Sequence, residues 1–101
     1  MTPRRALLVE DEVLVAMATA DSLSLMGFEP VVASTGAEAL KAVARHGPSF
    51  VLALIDVGLP DMRGDALARR LRDSLPSLPI VLSSGYDLAE LTGDFEAGLR
   101  F

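Results

Sequence analysis

Cysteine is absent from this sequence, and lysine occurs once, as Lys41, beside eight arginines. Without cysteine the chain can form no disulfide, no thiolate metal site and no cysteine-linked intermediate, which fits a reducing compartment. No stretch approaches the roughly 18 consecutive apolar residues needed to span a bilayer. Arg4 and Arg5 precede only a four-residue apolar run, which is too short for a signal peptide. We therefore expect a cytoplasmic protein without a membrane segment.

Positive charge is scarce as well, because the 101 residues carry a formal net charge of −5. Nonspecific binding to nucleic acid or to anionic membranes depends on cationic side chains that neutralise phosphates. We therefore expect no direct contact with nucleic acid. Half of the residues are hydrophobic, and the charges are interspersed. This composition predicts one globular domain with one core, over residues 1–101.

Short apolar runs alternate with segments of helix-forming residues along the chain. The runs predict strands over 5–10, 28–33, 50–55 and 79–83, and helices over 12–26, 37–45, 65–74 and, more weakly, 87–97. Gly27 suits a left-handed helix cap, and either Ser34 or Thr35 can cap the next helix. Strands that alternate with helices predict a parallel sheet with helices on both faces, whose ligands bind beyond the carboxyl ends of the strands.

Polar side chains follow three of these predicted strands. They are Glu10, Asp11 and Glu12 after the first, Asp56 after the third, and Ser83 with Ser84 after the fourth. Carboxylates a few ångströms apart repel by several kcal/mol at an effective dielectric constant of about 20, so they stay ionised only with a cation nearby. Mg²⁺ is the natural candidate, because it takes carboxylates, a carbonyl, waters and a phosphate oxygen.

Several of these acids also have ordinary structural interpretations. Glu10, Asp11 and Glu12 could equally well be residues that cap a helix and are stabilised by its dipole. The pattern alone does not decide between capping and metal binding. Asp56 is harder to explain in this way, because a carboxylate after five apolar strand residues incurs desolvation. We interpret Asp61 as a turn residue and His46 as a solvated residue at a helix end.

Together these motifs resemble the receiver domain of two-component response regulators, the CheY-like superfamily. The resemblance rests on the acidic pair Glu10-Asp11 after an apolar strand, on Asp56 in LIDVGLPDMRG, and on Ser84 in PIVLSSGY. It covers essentially the whole chain in order. The resemblance implies a flavodoxin-like, doubly wound parallel sheet of five strands in the order 2-1-3-4-5, flanked by helices.

The resemblance also implies a role for each matching residue. Asp56 would accept a phosphoryl group from a sensor histidine kinase or a histidine phosphotransfer protein. Glu10, Asp11, Asp56 and the backbone carbonyl of Gly58 would bind Mg²⁺, and Ser84 would donate a hydrogen bond to a phosphoryl oxygen. The domain would catalyse its own phosphorylation and dephosphorylation and act as a signalling switch rather than as an enzyme.

The sequence departs from this family near Phe101, where receivers continue to a lysine after the fifth strand and to a fifth helix. Lys41 lies on a predicted helix and cannot replace that lysine. We therefore expect a C-terminally incomplete domain with an uncovered apolar surface. Two copies of the chain could cover this surface by forming a homodimer. The alternatives are a degenerate receiver that binds partners without phosphorylation and a haloacid-dehalogenase-type phosphatase. The latter needs a second aspartate where Gly58 stands.

Overall fold

The computed structural model describes residues 4–83, as a sheet with helices on both faces. The strands are β1 (Arg5–Val9), β2 (Glu29–Ala33), β3 (Phe50–Asp56) and β4 (Ile80–Ser83), and the helices are α1 (Val13–Leu25), α2 (Gly36–His46) and α3 (Gly64–Ser74), with a 3₁₀ turn at Gly47–Ser49. Each predicted strand and helix of this part of the chain is confirmed to within one residue at either end. The helix predicted over 87–97 lies outside the described residues.

The four strands are parallel and lie in the order β2-β1-β3-β4. The predicted order is thus confirmed for these strands, while the predicted fifth strand lies outside the described residues. The strand order reverses between β1 and β3, which pair in register up to Val9 and Ile55. The next residues along these two strands, Glu10 and Asp56, therefore meet at the switch point, where sheets of this kind bind their ligands.

Local hydrogen bonds explain where the first two helices end and begin. At the end of α1, Gly27 has a φ of 90°, its N–H donates to the Ser24 carbonyl at 3.0 Å, and the Phe28 N–H donates to the Leu23 carbonyl at 3.0 Å. This pair of bonds is a Schellman motif, and the left-handed cap predicted at Gly27 is confirmed. Of the two candidate caps for α2, Thr35 is the one that accepts from the Glu38 N–H, at 3.1 Å.

The end of α2 differs from the prediction that His46 is solvated. The imidazole is half-buried and meets the ring of Phe50 edge to face, with 5.8 Å between the ring centroids and 85° between the planes. Only the short 3₁₀ turn separates α2 from β3, so the last helical residue stays within reach of the first strand residue. α2 ends at His46, directly before this turn, and the His46 ring packs against Phe50 instead of facing only solvent.

Alternation along the strands divides the core between the two faces of the sheet. One face packs against α2 and α3, with buried residues that include Val9, Ile55, Val43, Leu67 and Leu71. The other face packs under α1, with Leu8, Leu54, Val81, Ala16 and Leu23. From Leu52 to Ile55, β3 is apolar and buried on both faces of the sheet. Within residues 4–83, no helix has the length and hydropathy needed to cross a membrane.

Candidate functional site at the carboxyl ends of the strands

Three carboxylates meet where β1 and β3 end. Glu10 directly follows β1, Asp56 is the last residue of β3, and Asp11 is next to Glu10. One oxygen from each of these carboxylates lies within 4.8 Å of one from each of the others. Glu10 is 4% exposed and Asp56 is 9% exposed, whereas Asp11 is open to solvent. The structure therefore brings together the three acidic side chains that the sequence predicts as metal ligands.

The surroundings of Glu10 disfavour its charged form. Burial raises the pKa of Glu10, and the neighbouring charges of Asp56, Asp11 and Glu12 raise it further. A hydrogen bond from the Glu12 N–H to Glu10 Oε1, at 3.1 Å, acts in the opposite direction. A cation among these oxygens would offset both burial and repulsion. Because all the donors are oxygens, the group fits a hard cation such as Mg²⁺.

Helix capping accounts for only part of this acidic segment. Glu12 is the N-cap residue of α1, but its side chain makes no capping hydrogen bond, and the first turn of the helix contains no acid. Glu10 does accept one backbone N–H at the start of the helix. The capping interpretation therefore applies to one oxygen of Glu10 and does not explain why Asp56 lies beside it.

The loop from β3 to α3 is closed tightly at its base. The Gly64 N–H donates to the Val57 carbonyl at 2.9 Å, and Gly58 pairs with Arg63 as an isolated antiparallel bridge. A Cβ at Gly64 would overlap the carbonyl oxygen of Asp56 and would lie 2.8 Å from the Val57 Cα. Glycine is required here because the backbone at the end of β3 passes so close.

Gly58 is in a different situation from Gly64. It is exposed, and a Cβ built on it would meet nothing within 4 Å. Its N–H makes a long hydrogen bond of 3.4 Å to Asp56 Oδ1. Nothing about the space around Gly58 demands glycine, so any contribution that it makes to the site comes from its backbone.

Asp61 has a role that the sequence analysis missed. Its Oδ1 accepts from the Gly36 N–H at 2.8 Å and its Oδ2 from the Ala37 N–H at 3.0 Å, so the carboxylate joins the loop to the start of α2. These two bonds lower the pKa of Asp61, and the bond from Gly36 has the larger effect. Its donors stand 25 and 24 residues earlier in the chain, so no local pattern could have revealed the contact.

Comparison with known proteins gives the family. The family model described as the response regulator receiver domain matches residues 6–98. This chain is a receiver domain of that family. The transcriptional regulatory protein KdpE of Mycobacterium tuberculosis is 38% identical over 92 residues, which are 91% of this chain and 40% of KdpE. The chain thus spans two fifths of the length of that relative.

Two solved structures are similar to this receiver domain. The receiver domain of the hybrid histidine kinase CckA has a TM-score of 0.83 and 26% identity, with 95% of this chain and 99% of that chain covered. A chain in the complex of the histidine kinase ThkA with the response regulator TrrA has a TM-score of 0.73 and 27% identity, with 83% of this chain and 71% of that chain covered. The resemblance seen in the sequence is confirmed, and the domain belongs to a family of phosphorelay signalling switches.

The remaining predicted residues of the receiver domain stand as follows. Ser84 lies outside the described residues. Ser83, beside it, pairs with Asp56 across β3 and β4, and its carbonyl accepts from the Val57 N–H at 2.9 Å. Lys41 lines a groove beside β2 to which none of the three clustered acids contributes. Membership of this family leaves the dehalogenase-type phosphatase without support.

Proposed function

We propose that this receiver domain accepts a phosphoryl group on Asp56, from a phosphohistidine of a sensor histidine kinase or a histidine phosphotransfer protein, in a Mg²⁺-dependent reaction. The observation that supports it best is the buried carboxylate of Asp56 among the oxygens of Glu10 and Asp11, at the switch point of the sheet. The domain would then be a switch that catalyses its own phosphorylation and dephosphorylation. We place it in the cytoplasm, where a chain without cysteine loses nothing to reduction.

The acidic cluster fits the metal that the family implies. Glu10, Asp11, Asp56 and the carbonyl of Gly58 would hold Mg²⁺, with oxygen donors throughout. When bound, Mg²⁺ supplies positive charge against the oxygens of the phosphoryl group. The raised pKa of Glu10 supports the same assignment, because burial and repulsion leave this site short of positive charge.

The pairing of β3 with its neighbours supports Asp56 as the acceptor. β3 pairs with β1 up to Ile55 and with β4 at Asp56 itself, so the acceptor side chain stands on a strand that is held on both sides. Phosphoryl transfer needs little covalent help from a protein and depends mainly on position and charge. Asp56 would attack phosphorus in line as the bond to the histidine nitrogen breaks.

The surface beside the acids suits a protein as the donor. Three apolar side chains in the first two turns of α1 are largely exposed, with Val13 at 71%, Leu14 at 80% and Met17 at 59%. Contiguous exposed apolar groups are unusual except where a partner binds. ThkA with TrrA is a complex of a kinase and a regulator. A homodimer would use the same kind of surface, and a monomer in size-exclusion chromatography would count against it.

The phosphorylation proposal is tested by intact-protein mass spectrometry with Mg²⁺ and acetyl phosphate. We expect an added phosphoryl group on the wild-type chain, almost complete loss of it in Asp56→Asn, and the same loss when EDTA removes the metal. Asp73→Asn, which changes an exposed acid of α3, is the matched control and should behave as wild type.

Two results would contradict the proposal. Modification that persists in Asp56→Asn would show that another residue is the acceptor. An unmodified wild-type chain, under conditions that phosphorylate another receiver domain, would favour a degenerate receiver that binds its partners without phosphorylation.

A further inference from the structure

Asp61 and Thr35 together satisfy the backbone donors at the start of α2. The first N–H groups of a helix have no partner within it, and the helix dipole favours a carboxylate there. Thr35 accepts from the Glu38 N–H at 3.1 Å, while Asp61 accepts from Gly36 at 2.8 Å and Ala37 at 3.0 Å. Thr35 belongs to the segment that enters α2, but Asp61 comes from the loop that follows Asp56.

A packing contact holds the same two parts of the chain together. Met62, next to Asp61, lies so close to the first residue of α2 that a Cβ at Gly36 would come within 2.6 Å of the Met62 Sδ. The loop therefore contacts α2 through the two hydrogen bonds of Asp61 and through the Met62 side chain, which occupies the space where a side chain at Gly36 would lie. We call this contact between Asp61, Met62 and the start of α2 the α2 clamp.

Gly58 lies between the two points at which the loop is held. The base of the loop is closed by the hydrogen bond from Gly64 to Val57, and its far part is held by Asp61. Gly58 itself is exposed, with a bond of only 3.4 Å from its N–H to Asp56. Its position is therefore set by the loop, which pairs Gly58 with Arg63 and is held at Asp61, rather than by packing of its own.

We propose that Asp61 is a positioning residue for the metal site: through the α2 clamp it holds the Gly58 carbonyl in place, without contacting the ion. This inference rests on the proposed function, because it assumes that the Gly58 carbonyl is a ligand. Mg²⁺ requires nearly ideal octahedral geometry, so a carbonyl that moves by a fraction of an ångström binds it less well. Groups that orient metal ligands without binding the metal commonly affect affinity about 10- to 100-fold.

The test compares Asp61→Ala with Thr35→Ala. Both substitutions remove a side-chain acceptor from the start of α2, but only Asp61 connects the helix to the loop. Binding of Mg²⁺ is followed through the backbone amide signals of Asp56 and Gly58 in NMR titrations. We expect Asp61→Ala to raise the Kd for Mg²⁺ about tenfold, Thr35→Ala to leave it within about twofold, and Asp61→Asn, which keeps one acceptor oxygen, to lie between wild type and alanine.

Hydrogen exchange in the metal-free protein gives a second readout. The amides of residues 58, 59 and 61–63 should exchange faster in Asp61→Ala and at the wild-type rate in Thr35→Ala. If Asp61→Ala does not fold by circular dichroism, Asp61→Asn supplies the same comparison.

Either of two outcomes overturns the proposal. One is an equal rise in the Kd in the Asp61 and Thr35 variants, which would reduce the effect to helix stability. The other is faster loop exchange in Asp61→Ala with an unchanged Kd, which would show that the clamp does not serve the metal. A wild-type chain that binds no Mg²⁺ would instead refute the proposed function, while the exchange data would still test the clamp itself.

Discussion

The two faces of the sheet are covered in different ways. α2 and α3 bury apolar residues against one face and contact the loop that follows Asp56. α1 buries only Ala16, Thr19 and Leu23 along its length and exposes large apolar side chains at both ends. In residues 4–83, no such exposed apolar side chain comes from α2 or α3. The face under α2 and α3 keeps β3 and the loop after it in place, whereas among residues 4–83 the other face carries the exposed apolar side chains of α1.

The largest difference in the free energy of unfolding should appear when one leucine on each face of the sheet is replaced by alanine. Leu67 of α3 is fully buried, so Leu67→Ala should lower the free energy of unfolding by about 2–5 kcal/mol. Leu14→Ala on α1 should change it by less than about 0.5 kcal/mol, because that side chain is already in water. Urea unfolding followed by circular dichroism measures both. Similar losses in the two variants would contradict the exposure of Leu14 on α1.

A smaller effect should separate the two glycines of the loop. Gly64→Ala should destabilise the protein by about 1–3 kcal/mol, because its Cβ has to displace the backbone of Asp56 and Val57. Alanine is the better helix former, so a net loss of stability would show that the steric clash outweighs the gain in helix propensity. Gly58→Ala is the matched control and should stay within about 0.5 kcal/mol, since the space beside it is open. Equal stability of the two variants in urea unfolding would contradict the tight closure of the loop.

The smallest effect should be a pH dependence on the face under α2 and α3. Hydrogen bonds from Gly36 and Ala37 lower the pKa of Asp61 below its ordinary value of 3.8. A lowered carboxyl pKa stabilises the fold above the unfolded-state value, and this contribution is lost as the pH falls through the lower folded-state value. The stability difference between wild type and Asp61→Asn should therefore be constant near neutral pH and shrink below about pH 4. Urea unfolding at a series of pH values measures the stability difference between the two proteins. A difference that does not change with pH would refute the lowered pKa of Asp61.

Much of this architecture follows from the sequence for simple reasons. Parallel strands bring their carboxyl ends to one edge, so acids that follow the first and third apolar runs had to approach each other at the switch point. The unbroken apolar run of β3 likewise predicted a strand covered on both faces. These inferences need only local periodicity and the rules of chain connection.

Other features depend on contacts that no local pattern encodes. The bonds of Asp61 to α2 join residues far apart in sequence, and an aspartate after proline looks like an ordinary turn former. The sequence led us to expect an exposed apolar surface but not its location on α1, because a helix that is apolar on several sides suggests burial rather than exposure. The ring of His46 is half-buried because it packs against Phe50. A histidine at a helix end gives no sign in the sequence of such a contact.

The α2 clamp also affects the order in which the chain can be completed during synthesis. Asp61 follows Gly36 by 25 residues, so a ribosome that adds roughly 5–20 residues per second delivers the carboxylate about 1–5 s after the helix start that it caps. During that interval the nascent helix has Thr35 alone, of these two side chains, at its N-terminus. α2 therefore becomes fully capped only after β3 has been made, which couples the completion of an early helix to the arrival of the strand that carries Asp56.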